Sequence, residues 1–362
     1  MQLLSTKTFS HNNKRKIKVL LILSLFIFIN ANTFASADKQ ENSTHKSVFE
    51  KCLFKLIKAA DNDVSLADIE VQCEQEVERS ITNQNNVEEV ELGAIANRMQ
   101  RERLTAANPY VLTPHKMNYI LPVSIVDDIN RDAYNDISTW ANDLQDIEAK
   151  FQLSIKIPLL TGDLFNEGDQ IFFSFTLQSW WQIYAEDISR PFRETNYQPE
   201  FFYFTPIDVH FLGGDSALVF GFEHQSNGRS QVISRSWNRL YLNYLYETQH
   251  FALSLRPWYR IPEGEKMSSV DGKGDDNPDI LDYMGHFELG MVYKYSQDLE
   301  LSFKGRENFA THKGFAEVGI TFPLWGKLKG YAQLSKGYGE SLIDYNINQT
   351  RFGIGIALTN FL

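Results

Sequence analysis

The 362-residue chain carries 46 acidic against 35 basic residues, a formal net charge of −11. That balance argues against nucleic acid as a partner, because such binding neutralises phosphates with Lys and Arg. The two cysteines show no zinc-ligand spacing, and neither sits near a histidine-bearing motif, so a catalytic thiol is disfavoured.

The first 37 residues set the compartment. Lys14, Arg15, Lys16 and Lys18 form a basic start, VLLILSLFIFI follows from Val19 to Ile29, and Ala35-Ser36-Ala37 is a small-residue cleavage site. This order reads as a secretory signal peptide, and the apolar run is too short to span a bilayer comfortably. Its removal takes away five basic residues and no acid, so the mature chain is more acidic still.

Residues 38–108 differ from everything after them. Val48, Cys52, Ile69, Cys73 and Val77 recur at helical intervals, and Asp61-Asn62-Asp63 breaks the pattern. The expectation is a small helical hairpin with Cys52 bonded to Cys73, followed by a linker, since secreted cysteines are generally oxidised.

The main domain is expected over 109–362, and from about Lys116 to Leu362 the period becomes two. Phe151, Leu153, Ile155, Ile157 and Leu159 alternate with Gln152, Ser154 and Lys156, and similar runs recur up to 350–362, twelve strands in all. One of them is expected over 281–296. Trp180, Trp181, Tyr203, Trp258, Tyr259, Tyr293 and Tyr295 cluster toward strand ends, as in an aromatic girdle. A soluble sandwich is the competing all-β reading. The last strand favours a 12-stranded antiparallel transmembrane β-barrel: Phe352, Ile354, Ile356 and Leu358 share one face, whereas Arg351, Gly353, Gly355 and Ala357 share the other.

Parity then singles out a site. In the strand ending GFEHQS, Leu218, Phe220 and Phe222 share a face with His224 and Ser226; in SRSWNRLYLNYLYE, Asn238 shares one with Leu240, Leu242 and Tyr244. If His224 pairs with Asn238, then Phe222 meets Leu240 and Ser226 meets Ser236, and every apolar residue faces outward together. A serine needs a base to take its proton, and the base needs a third group to fix its orientation. Histidine, serine and asparagine on a lipid-facing wall therefore suggest nucleophilic chemistry. The plain alternative places the same groups harmlessly at headgroup level.

The segments HQSNGRS (His224–Ser230) and SRSWNRLY (Ser234–Tyr241) closely resemble the outer membrane phospholipase A family. SWWQ (Ser179–Gln182), PFRETNY (Pro191–Tyr197), DDNPDI (Asp275–Ile280) and GYGESLIDYNINQTR (Gly337–Arg351) resemble it too. The resemblance runs from about residue 110 to the end. It implies a homodimeric, calcium-dependent outer-membrane phospholipase A1 and A2, hydrolysing sn-1 and sn-2 esters of phospholipids and lysophospholipids. Ser226 is then implied as nucleophile, His224 as base and later acid, Asn238 as its orienting partner, and the Gly228 N–H as oxyanion donor. One calcium per active site is implied at the dimer interface, on the Arg229 carbonyl, the Ser234 side chain and, from the other subunit, the Ser189 carbonyl. Two residues depart from the family pattern. Gln231 stands where close relatives have a calcium-binding aspartate, and Leu177 stands where a glutamine can join two subunits.

DGKGDDNPD, Asp271–Asp279, lacks the spacing of an EF-hand and reads as a solvated turn. Glu223 and Arg239 fall on the inward face, where burial favours pairing, with Gln225 beside them. A passive channel and a non-catalytic lipid-binding barrel are the rival functions. The outward His224, Ser226 and Asn238 set distinguishes the enzyme from the channel.

Overall fold

The computed structural model describes Cys52, Cys73, Arg98, Met99 and Glu102, and residues 113–135, 140–161, 164–268, 271, 273–296, 298–326 and 328–359. The expected signal peptide lies outside the described residues, as does the extension expected over 38–108 except for Cys52, Cys73, Arg98, Met99 and Glu102. Cys52 and Cys73 are each helical and are joined by a disulfide. The chain divides into two compact units, Met1–Val90 and Glu91–Leu362.

The second unit is a closed antiparallel barrel. After a two-residue strand β1 (Thr113–Pro114) come β2 (Tyr119–Val126), β3 (Ile147–Thr161), β4 (Gln170–Trp181), β5 (Phe192–Phe211), β6 (Gly214–Ser226) and β7 (Ser236–Glu247). Then follow β8 (Phe251–Ile261), β9 (Phe287–Lys294), β10 (Glu300–Asn308), β11 (Lys313–Trp325), β12 (Leu328–Tyr338) and β13 (Asn348–Ala357). Each strand from β2 onward pairs with its sequence neighbours, and β13 pairs back onto β2, so these twelve strands leave no open edge. β1 adds only a short pairing to β3.

Period-two patterning explains the closure. Leu153, Ile157 and Leu159 of β3 are about half exposed, whereas Lys150, Gln152 and Ser154 are buried in the lumen. The apolar face can be left outward only if lipid covers it, and the polar face inward only if it is internally paired. Pairing is extensive. Arg193 makes two bonds of 3.1 Å to Glu148 and one of 2.9 Å to Asp344; Arg351 bonds Glu148 at 2.9 Å and Glu340 at 2.7 Å. Lys150 reaches Glu340 at 2.9 Å. Burial opposes the Glu340 charge, but Arg351 and Lys150 overcome it and hold its carboxyl down to about 2. Glu223 is paired with Arg239 and Arg256, and Gln225 accepts a hydrogen bond from Trp237 Nε1 at 2.8 Å. Met99 packs against the buried cluster that includes Phe172, Phe202 and Phe204, and Glu102 bonds Lys156 at 2.7 Å, so the segment ahead of β1 contributes to the lumen.

Three expectations change. The strand expected over 281–296 begins only at Phe287: Ile280–Met284 is a short helix whose Ile280 and Met284 pack into the lumenal core, and it ends at Gly285, φ 67°. Trp180 and Trp258 are not girdle residues. Both fall on the inward parity and are buried, with Trp258 Nε1 donating to the Gly285 carbonyl at 3.0 Å. The acidic loop is no solvated turn. Asp275 accepts from Arg260 at 2.6 Å, Asn277 is fully buried and accepts from the Ser236 N–H at 3.0 Å, and Asp279 accepts from the Tyr345 hydroxyl at 2.6 Å.

Candidate active site

The β6–β7 hairpin sets the site. Its register pairs Phe222 with Leu240, His224 with Asn238 and Ser226 with Ser236, and Phe222 and Leu240 are exposed on the outer wall. Paired residues share a face, so His224, Ser226 and Asn238 project from that same wall, at the strand ends bearing the loop 227–235. All three are half-buried. His224 Nδ1 lies 2.8 Å from Asn238 Oδ1. The amide oxygen is an acceptor, so Nδ1 carries the proton and Nε2 is left as the basic nitrogen. Among the described residues no hydrogen bond joins His224 to Ser226. Such contacts are commonly long without substrate and tighten in the reacting complex.

The loop that follows is clipped by one side chain. Asn227 is buried; its Oδ1 accepts from the backbone N–H of Arg229 at 3.2 Å and of Arg235 at 3.0 Å, and its Nδ2 donates to the Ile233 carbonyl at 2.8 Å. Gly228, held between, has φ 63°, and a Cβ there would stand 3.1 Å from the Tyr197 ring. The left-handed backbone conformation favours glycine there, and the ring leaves little room for a side chain. The result is a side-chain-braced loop directly after Ser226.

The residues implied for a cation are distributed around this loop. Arg229 is anchored by its guanidinium, which donates to the Phe192 carbonyl at 2.9 Å. The Ser234 hydroxyl donates to Asp276 Oδ2 at 2.6 Å, and Asp276 is also paired with Lys266. Ser189 lies exposed in the loop between β4 and β5, beside Arg190, whose carbonyl accepts from Trp181 Nε1 at 2.9 Å. Carbonyls and a serine hydroxyl backed by a carboxylate make an all-oxygen donor set, which fits a hard cation such as calcium. Gln231 opens a short 3-10 turn, Gln231–Ile233. Leu177 sits on the outer wall opposite Leu153 and Tyr197, whereas Gln178 turns inward and donates to Gln152 at 2.7 Å. Gln178 therefore supplies no polar group to the wall.

Four residues escape a reading by strand parity alone. Asn227 carries a local signal, an Asn-Gly step at a strand end. Asp276 and Asn277 fall in the family-like segment DDNPDI, which by itself assigns them no role, and Glu263 carries no signal; all three reach the hairpin from a loop far along the chain: Glu263 Oε1 accepts from Asn238 Nδ2 at 2.9 Å, while Asp276 and Asn277 bond Ser234 and Ser236.

A phospholipase A1 family model matches residues 95–358. The chain belongs to the phospholipase A1 family. Phospholipase A1 of Escherichia coli K12 is 40% identical over 267 residues, 74% of this chain and 86% of that protein. The calcium-bound dimer of Salmonella typhi outer membrane phospholipase is 39% identical, with a TM-score of 0.65 over 74% of this chain and 98% of that one. Outer membrane phospholipase A of E. coli gives a TM-score of 0.66 at 39% identity over the same shares. The family's twelve-stranded barrel and its place in the outer membrane are therefore those of this chain, and the exposed apolar wall is its lipid-facing surface. The chain is an enzyme of that family.

Proposed function

We propose that the chain is a calcium-dependent phospholipase that cleaves sn-1 and sn-2 acyl esters of glycerophospholipids and lysophospholipids, and that pairing of two copies activates it. The observation that carries this reading is the 2.8 Å bond between His224 and Asn238 on a wall that otherwise presents apolar residues to lipid, with Ser226 on the same face. Ser226 Oγ passes its proton to His224 Nε2 and attacks the ester carbonyl. The Gly228 N–H, aimed by its left-handed backbone, stabilises the oxyanion. The imidazolium then protonates the departing glycerol oxygen. In the second half His224 draws a proton from water, which attacks the acyl ester on Ser226; the imidazolium returns that proton to Ser226 Oγ as the bond breaks and the fatty acid departs. Asn238 holds the imidazole in the tautomer that both halves require.

Arg229 and Ser234 of one copy, with the carbonyl of Ser189 from a second copy, would hold the cation. Calcium bound there would supply positive charge near the oxyanion. Residues 1–37 are read as the cleaved signal, and 38–108 as an extension stapled at Cys52 and Cys73 ahead of the catalytic domain at 109–362. The test is fatty-acid release from phospholipid–detergent micelles with calcium or with chelator, for the native chain and Ser226→Ala. Release that needs calcium and Ser226 supports the reading. Equal release by folded Ser226→Ala refutes it.

A further inference from the structure

We propose that Glu263 is a positioning residue for catalysis: its carboxylate fixes which way the Asn238 amide faces, and through it the tautomer of His224. The proposal rests on the reading of Ser226, His224 and Asn238 given above.

The geometry follows from register. Asn238 pairs with Ile261, the last residue of β8, so the two share the outer face. Glu263 stands two residues past the end of β8, and its carboxylate reaches the Asn238 amide. Pro262, between them, restricts the backbone at that step. Beyond it the loop is braced to the barrel: the Asp275 N–H donates to the Gly264 carbonyl at 2.8 Å, and Arg260 donates to Asp275 at 2.6 Å and to the Pro278 carbonyl at 3.1 Å. Glu263 is therefore held against Asn238, half-buried, with Oε1 2.9 Å from Nδ2.

The chemistry is asymmetric. An asparagine amide has an accepting end and a donating end of nearly the same shape, and either can be turned toward an imidazole. Turned the wrong way, the amide would present NH₂ to His224 Nδ1, favour the tautomer protonated on Nε2, and leave no base for the Ser226 hydroxyl. A carboxylate only accepts. Glu263 therefore admits only the NH₂ end and leaves Oδ1 for His224. Its negative charge also favours the imidazolium that forms when Ser226 is deprotonated.

The test is a double-mutant cycle between positions 238 and 263, read as kcat and KM separately in calcium-saturated micelles, with heat-modified gel mobility to establish that each barrel is folded. Glu263→Gln alone offers either amide end to Asn238 and should lower kcat several-fold, with KM little changed. Glu263→Ala should lower it further, roughly tenfold, the scale of one charge-assisted hydrogen bond. Asn238→Asp alone sets two carboxylates against each other and should be severely impaired. In that background Glu263→Gln should raise kcat, because glutamine can donate to the introduced carboxylate. A substitution that harms the native enzyme and rescues the Asn238→Asp variant reports the orienting role; loss of a merely structural contact would not change sign. The proposal is overturned if Glu263→Gln acts in the same direction in both backgrounds, or if folded Glu263→Ala keeps native kcat. Ser226→Ala, run alongside, separates the two levels: activity retained there removes the catalytic reading itself, whereas an inactive Ser226→Ala with no sign reversal removes only the role of Glu263.

Discussion

Asn238 Oδ1 lies 2.8 Å from His224 Nδ1 across the β6–β7 hairpin, and the same amide donates to Glu263 at 2.9 Å. One neutral side chain thus joins a strand-borne imidazole to a loop-borne carboxylate on a surface that faces lipid.

Removing that link should slow the reaction without stopping it. Asn238→Ala should retain more activity than Ser226→Ala, falling by about tenfold, the scale of one hydrogen bond that orients the base. Ser226→Ala should fall by at least about a thousandfold, because no other group on the wall makes the acyl bond. Steady-state ester hydrolysis by the two folded variants provides the comparison, and equal losses would contradict it.

Gly228→Ala should damage rate more than folding. A side chain at φ 63° costs about 1 kcal/mol, and the Tyr197 ring 3.1 Å from the added Cβ would push the turn aside. The displaced N–H would no longer meet the oxyanion, so kcat should fall by roughly 100-fold. Barrel stability in urea, measured in parallel, should change little.

The lumenal charges give the barrel an acid limit. The Glu340 carboxyl, lowered from 4.5 to about 2 by Arg351 and Lys150 against its burial, stabilises the fold while it is ionised. Its folded pKa lies below the unfolded one, so this contribution is complete above about pH 4.5 and is lost as pH falls from there toward 2. Glu340→Gln should flatten stability across that window. It should also cost about 3 kcal/mol at neutral pH, because buried Lys150 loses its carboxylate partner and Arg351 keeps only Glu148. Denaturant unfolding in detergent at a series of pH values measures both.

How far the sequence discloses this site depends on the range of the contact. Alternation places Phe222, His224, Leu240 and Asn238 on one outward face, and the register that sets His224 opposite Asn238 is one that keeps every apolar residue outward; the fold selects it. The same alternation turns Trp180 and Trp258 inward, so their burial is legible once parity is weighed above position in the strand. The helix Ile280–Met284 is not legible in this way, since a run of five residues satisfies either period and its core contacts decide. Nor are the attachments of Glu263, Asp276 and Asn277, which depend on where a long loop folds back across β7.

Lys266 should weaken calcium binding. It is paired with Asp276, the carboxylate that receives the Ser234 hydroxyl, so its ammonium offsets negative charge beside a proposed calcium ligand. Lys266→Met should shift calcium-dependent cross-linking of two copies to several-fold lower calcium, and Ser234→Ala should shift it higher. Titration of cross-linked dimer against calcium in detergent checks both, and identical midpoints would contradict the assignment.

The most direct measurement is covalent labelling with an alkyl fluorophosphonate, which reacts with serines whose proton a neighbouring base removes. Peptide mass analysis should find a single adduct, on Ser226, formed in step with loss of hydrolysis and absent from folded His224→Ala. An enzyme inactivated with Ser226 unmodified, or labelled equally well without His224, would contradict the account.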